Sequence, residues 1–292
     1  MFRETVLNRT LELVGEQYVF PQKAGEVVER MRANTPEYAT AKTDRQFATM
    51  ISRDMFEVTH DVHLTLGIRP KGSSWQELPP VAEVNFLERG IAVIKLNRFP
   101  NTNSAKGEDV IREIDHVFLM AAGARALAID LRGNEGGDGS SVALATTYLL
   151  PPKPQRLVVY RYRANMAPRE SWTWEKLPSE INGPYRPLAD KPLCILISKK
   201  TFSAAEEFAY TLQQMKRATV IGEQTRGGAH PSKRHIIDGT FVLSLPFAET
   251  ISPITKSNWE GVGVVPDIPC ARKDALKIAK DELVAALRPT PV

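Results

Sequence analysis

Ser203 stands where a short apolar strand, Leu193 to Ile197, meets an amphipathic helix, in the run Ser198-Lys-Lys-Thr-Phe-Ser-Ala-Ala-Glu-Glu-Phe-Ala209. Such a junction lifts a hydroxyl out of a sheet and sets it against the unsatisfied N–H groups and the positive dipole end of a helix. Acyl transfer needs both, a nucleophile and a place for an oxyanion. The same residues, Ser203-Ala-Ala-Glu206, also fit the capping box S-x-x-E, in which the serine only starts a helix. The segment alone leaves both readings open. A second strand-to-helix junction carries Gly133-Asn-Glu-Gly-Gly-Asp-Gly139. Sites in open α/β sheets form at the carboxyl ends of strands, and Gly136-Gly137 would let backbone N–H groups approach a ligand. A flexible loop is the plainer alternative. No Gly-Lys-Ser/Thr follows and the G-x-G-x-x-G spacing is missing, so this is neither a phosphate loop nor a dinucleotide loop.

Five histidines could supply a base: His60, His63, His116, His230 and His235. His116 falls on a helix flank. His63 projects with Asp61 and Thr65 from the polar face of its strand, where a base and a solvated face fit equally well. His230 follows Gly227-Gly228-Ala229 and precedes Pro231, a loop position where function concentrates, and is a candidate substrate-loop residue. Glu260, in Asn-Trp-Glu-Gly-Val-Gly-Val-Val-Pro-Asp267, reads by itself as an ordinary surface acid. The two cysteines, Cys194 and Cys270, sit in separate apolar contexts. With no C-x-x-C or H-E-x-x-H pattern, neither a metal nor a cofactor is expected.

The elements that position these residues follow from periodicity. Leu7, Leu11, Val14 and Tyr18 form one helical stripe, and Phe47, Met50, Ile51, Met55 and Val58 another, opened by the capping pair Thr43 and Gln46. With a short helix around Val27 to Met31 they predict a small bundle. The period changes to two at Val62, Leu64, Leu66 and Ile68, predicting a strand. Arg69 to Pro80 then reads as a connection, so the division predicted is 1–68, a helical bundle ending in a strand, and 81–292. From Val81 strands and helices alternate, with a hairpin at Arg89-Gly90, another at Asp238-Gly239 and a closing helix from Ala275 to Leu287. That pattern is α/β with a mainly parallel sheet.

Length and composition set outer bounds. A chain of 292 residues, 42% hydrophobic and 25% charged, has enough apolar material for one large or two modest cores. The net charge of +4 is spread without a basic run, which argues against nucleic acid. Met-Phe-Arg-Glu-Thr-Val lacks an apolar signal core and no apolar run reaches membrane-spanning length, so the chain reads as cytoplasmic with no membrane partner.

Six segments, in order, resemble the C-terminal-processing (tail-specific) serine protease family. They are Asp61-Val-His-Leu, Ile129 to Gly137, Thr201 to Tyr210, Lys216 to Glu223, Thr225-Arg-Gly-Gly-Ala-His-Pro231 and Asn258 to Asp267. The nearest branch is that of the interphotoreceptor retinoid-binding protein modules and the tricorn-core-like peptidases. The resemblance implies a crotonase/ClpP-like core of stacked strand–strand–helix units behind the helical bundle. It implies Ser203 as nucleophile, with the N–H of Ala204 and that of Gly136 or Gly137 as oxyanion hole. Better-known bacterial members place a lysine base where this chain has Gly228. The tricorn-like branch uses a histidine and a glutamate that fall on His63 and Glu260, with a serine where this chain has Val62. The space between Ile68 and Val81 leaves no room for the peptide-binding PDZ domain of many relatives. A serine peptidase acting on a peptide or protein substrate is the reading implied. The alternative is a non-catalytic module binding a hydrophobic ligand such as a retinoid or fatty acid.

Overall fold

A computed structural model describes residues 2–69, 81–163, 166–180 and 186–288. In chain order the first elements are α1 (Phe2–Gln17), α2 (Pro21–Ala33), α3 (Thr35–Tyr38), α4 (Asp44–Thr59) and β1 (Thr65–Ile68). There follow β2 (Val81–Leu87), β3 (Ile91–Leu96), α5 (Gly107–Met120), β4 (Ala126–Asp130), α6 (Gly139–Thr147), β5 (Arg156–Tyr162) and β6 (Arg169–Trp172). The chain continues through β7 (Leu193–Ile197), α7 (Ala204–Gln214), β8 (Thr219–Gly222), β9 (Ser232–Ile237), β10 (Phe241–Pro246), β11 (Ala248–Ile251), β12 (Ile268–Pro269) and α8 (Ala275–Ala286). Two compact units result, one of residues 1–77, 160–169 and 230–251, the other of 78–159, 170–229 and 252–292. The predicted connection from Arg69 to Pro80 lies, apart from Arg69, outside the described residues.

In the first unit the helices do not close a core by themselves. Their apolar stripes (Val14, Val27, Ile51 and Met55, all fully buried) meet Leu64, Phe241 and Leu243 in one cluster. The sheet that supplies these residues has the order β1-β10-β9, antiparallel, with Leu66 opposite Leu243 and Leu243 opposite His235. The unit is therefore discontinuous in sequence: its helices need the hairpin around Asp238-Gly239, nearly 180 residues further on, where Asp238 and Gly239 take the positive φ values (51° and 69°) of such a turn. Thr43 caps α4 as its spacing predicts, accepting from Gln46 N–H at 3.1 Å.

The predicted strand from Val62 forms only from Thr65. Asp61 Oδ1 accepts the His63 N–H at 2.9 Å, an Asx turn that takes the backbone donor a ladder would need. His63 accordingly precedes the strand and is buried, not displayed on a solvated face.

The second unit is built on a six-stranded sheet of order β12-β8-β7-β4-β3-β2. All neighbours are parallel except the β2–β3 hairpin, which with α5 makes one strand–strand–helix unit. Strands β4 and β7 are buried along their whole length, as expected for parallel strands covered on both faces. Ala92, Ile94, Leu127, Ile129, Leu193 and Ile195 face α5, α6 and α7. The alternate residues Ile91, Val93, Ala126, Ala128, Cys194 and Leu196 face α8. This is the α/β architecture the alternation predicts. Cys194 and Cys270 are both free thiols, and burial pushes Cys194 up to about 12. No helix among the described residues is long and apolar enough to cross a membrane.

Candidate active site

Strands β4 and β7 are parallel neighbours, with Ile129 opposite Ile195, so the loops that leave their carboxyl ends open on the same edge. One carries Gly136-Gly137 and the other Ser203. Ser203 has φ 55° and ψ −122°, a conformation that a side chain with a Cβ rarely adopts and that costs about 1–3 kcal/mol. The surrounding bonds hold it there. The capping-box pair is in place but its halves are unequal. Ser203 N–H donates to Glu206 Oε2 at 2.8 Å, whereas Glu206 N–H is directed to the Ser203 carbonyl at 2.8 Å, and the hydroxyl makes no capping hydrogen bond. The cap uses the backbone of Ser203 and leaves Oγ for chemistry.

Gly136 and Gly137 serve different purposes. A Cβ on Gly136 would lie 2.8 Å from Ser203 Cβ and 3.0 Å from Ala204 N, so this glycine lets the loop lie directly on the serine turn. Its own N–H is taken by Asn134 Oδ1 at 2.8 Å. Gly137 bridges Phe99 in parallel register: Phe99 N–H donates to Gly136 O, and Asp138 N–H donates to Phe99 O. In that register the N–H of Gly137 points away from Phe99. Among the described residues no acceptor takes it, and none takes the Ala204 N–H at the start of α7. Of the two glycines, Gly137 is thus the available donor. Asn134, fully buried, anchors the arrangement by donating to Leu96 O at 3.1 Å and accepting Phe202 N–H at 3.1 Å.

Glu206 is the carboxylate around which this edge is organised. It is fully buried, and each oxygen accepts twice: Oε1 from Thr225 Oγ1 and from Gly227 N–H (2.7 Å), Oε2 from Ser203 N–H and from Gly228 N–H (2.9 Å). Burial pushes its carboxyl up, and the four donors oppose that. Trp259 Nε1–H holds the Gly228 carbonyl at 2.8 Å, and Gly261 N–H that of Gly227 at 2.9 Å. Glu260, beside Trp259, accepts the Ala229 N–H. Arg226 projects from the strapped loop, its Cζ 3.8 Å from the centroid of the Phe202 ring.

In the first unit Asp61 gathers the two candidate histidine segments. Its Oδ1 takes the His63 main-chain N–H, and its Oδ2 lies 3.1 Å from Tyr18 OH and 2.7 Å from His230 Nδ1. A carboxylate only accepts, so His230 donates to Asp61 through Nδ1–H. The ring edge packs on Phe20 with centroids 5.3 Å apart. His63 and His230 are both buried.

Ser203, Ala204, Gly136 and Gly137 are therefore assembled within one unit, which also holds Glu260, while His63 and His230 share Asp61 in the other. Sequence reasoning assigned no role to Asn134 and Thr225, and gave Glu206 only a helix cap. The signal available for Glu206 was an acid in the third position of a helix otherwise apolar on that face, Ala204-Ala205-Glu206-Glu207-Phe208-Ala209.

The sequence model of Peptidase family S41 matches residues 90–270, more than half of the chain. A carboxyl-terminal-processing protease of Synechocystis sp. is 29% identical over 159 residues, 53% of this chain and 31% of that one. The match thus spans less than a third of that relative's length. A lipoprotein from Streptococcus agalactiae superposes with a TM-score of 0.65 at 17% identity, covering 96% of both chains. The tricorn protease superposes with a TM-score of 0.62 at 14% identity, over 97% of this chain and 36% of that one. At these identities the structural likenesses establish the fold.

Proposed function

The chain belongs to peptidase family S41, and we propose that it is a serine-type peptidase whose nucleophile is Ser203. The observation that carries the reading is the placement of Ser203 on a strained turn, its hydroxyl outside the cap, beside the uncommitted N–H groups of Ala204 and Gly137. Oγ attacks the carbonyl carbon of a peptide bond while His63 takes the hydroxyl proton. A serine hydroxyl is a poor nucleophile until a base does this, and a neutral imidazole is suited to it near neutral pH. The carbonyl oxygen becomes an oxyanion received by the two N–H groups; losing one such donor typically costs about a hundredfold or more. The histidine returns its proton to the departing amine, and water then cleaves the acyl-enzyme by the same path. Glu260 is assigned to orient the histidine. The substrate is a peptide or protein.

The hydrophobic-ligand alternative is set aside, because the family match and the named relatives support a peptidase. Incubating wild type and Ser203→Ala with a mixed peptide library at neutral pH, with products read by mass spectrometry, tests the reading. Cleavage by wild type alone is expected; equal cleavage by both proteins overturns it.

A further inference from the structure

We infer that Arg226 selects the substrate, by reading a carboxylate carried close to the scissile bond on an acidic side chain or a chain terminus. The inference rests on the peptidase reading of Ser203. Arg226 is exposed, yet both ends of its side chain are fixed. Its backbone lies between Thr225 and Gly227, which bind one oxygen of Glu206 while the other oxygen binds Ser203 N–H. Its guanidinium lies over the ring of Phe202, the residue that precedes the nucleophile, with 3.8 Å between Cζ and the ring centroid. Phe202 is in turn held through its N–H by Asn134. The cation is thus tied to the serine turn at two points. A substrate chain covering about 3.3–3.6 Å per residue passes the guanidinium within its first few residues.

The charge itself needs an explanation. Packing on Phe202 could be supplied by an apolar side chain, and a cation beside the positive end of α7 is locally unfavourable. Arg217 and Arg272 of this unit donate to main-chain carbonyls, whereas Arg132 has a carboxylate partner in Asp130 at 2.7 Å, Arg186 in Glu180 at 3.0 Å and Arg156 in Glu170 at 2.7 Å. Among the described residues Arg226 has none. A guanidinium stacked by its face keeps its N–H donors around the edge, the geometry that receives a carboxylate in two parallel bonds. An incoming carboxylate would supply the missing partner and offset the unfavourable field.

The test uses isosteric peptide pairs built on a sequence cleaved in the library. Glu replaces Gln at each of three positions on either side of the cut, and each sequence is made with a free or an amidated C-terminus. With wild type, kcat/KM for the carboxylate member is expected to exceed that of its neutral twin by about tenfold to a hundredfold, the range of a charge-assisted hydrogen bond. The Glu/Gln arm reports a side chain and the acid/amide arm a terminus. In Arg226→Ala the ratio should fall toward one, and in Arg226→Glu it should invert in favour of a lysine peptide. Circular dichroism confirms the folding of both variants, and either suffices for the comparison. Equal use of both members of every pair by wild type, or a preference that survives both substitutions, overturns the role of Arg226 and leaves the peptidase standing. Failure of wild type to cleave, together with failure of a neutral fluorophosphonate to label Ser203, overturns the peptidase reading and this inference with it.

Discussion

Replacing Glu206 by glutamine should separate a carboxylate that organises the site from one that merely caps a helix. The side chain is fully buried and accepts four hydrogen bonds, two on each oxygen. An amide of the same shape accepts at only one end. Its better orientation keeps the oxygen toward Ser203 N–H and Gly228 N–H. The NH2 then faces Thr225, whose hydroxyl can turn to accept, and Gly227 N–H, which cannot. One buried donor is left unsatisfied against another donor, and each such loss costs about 1–3 kcal/mol. Adding the weakening of a charge-assisted bond to Thr225 and subtracting the relieved burial of a charge leaves a net cost of about 2–4 kcal/mol. A simple helix cap would lose about 1 kcal/mol or less.

Urea denaturation of wild type and Glu206→Gln at neutral pH measures the difference, and the labelling rate of Ser203 with a fluorophosphonate reports the turn. Both should fall, labelling more steeply, because Gly227 and Ser203 share the same carboxylate. The pH dependence has a definite sign. A carboxyl raised above its unfolded value contributes most below the unfolded value and loses that contribution as pH rises through the folded one. The glutamine variant lacks this decline, so the stability gap should narrow with rising pH. A variant within about 0.5 kcal/mol of wild type, labelled at the wild-type rate, would refute the organising role.

Ser203→Ala should unfold within about 0.5 kcal/mol of wild type, since the hydroxyl makes no capping bond; a loss near 1 kcal/mol in urea denaturation would restore the helix-cap role. Gly137→Ala should cost about 3 kcal/mol or more, because the new Cβ would lie 1.8 Å from Phe99 O at a φ of 147°; a wild-type denaturation midpoint would rule out that close approach. Asp54 is fully buried. Burial alone would raise its carboxyl, but bonds from Asn34 (2.7 Å) and Tyr38 (2.5 Å) and the charges of Arg53 and Arg30 hold it below the ordinary range. Its contribution is therefore present above the unfolded value and lost as pH falls through the folded one. Asp54→Asn should cost about 3 kcal/mol at neutral pH, and its thermal midpoint should converge with that of wild type in acid; a pH-independent gap would contradict this.

The elements legible in the sequence are those whose signal is local. The continuous apolar runs of β4 and β7, the capping spacing at Thr43, and the turns at Arg89-Gly90 and Asp238-Gly239 each depend on neighbours a few residues away. What periodicity could not supply is partner choice across a long stretch of chain. The stripe of α4 shows that a face must be buried, but not that Phe241 and Leu243 bury it. Alternation at Val62 to Ile68 reads as strand throughout, until the Asp61 side chain claims the His63 N–H. The same limit applies at the site. Gly136 and Gly137 are the same residue type, and only their backbone angles, φ 99° and 147°, decide which N–H Asn134 takes and which has no acceptor among the described residues. Glu206 carries a helix-start signature because it sits three residues from Ser203. Its heavier duty comes from Thr225, Gly227 and Gly228, donors that no local pattern ties to it. A motif can thus name the proposed nucleophile, but the hydrogen bonds that leave its hydroxyl outside the cap and aim its neighbours exist only once distant loops have closed on one buried carboxylate.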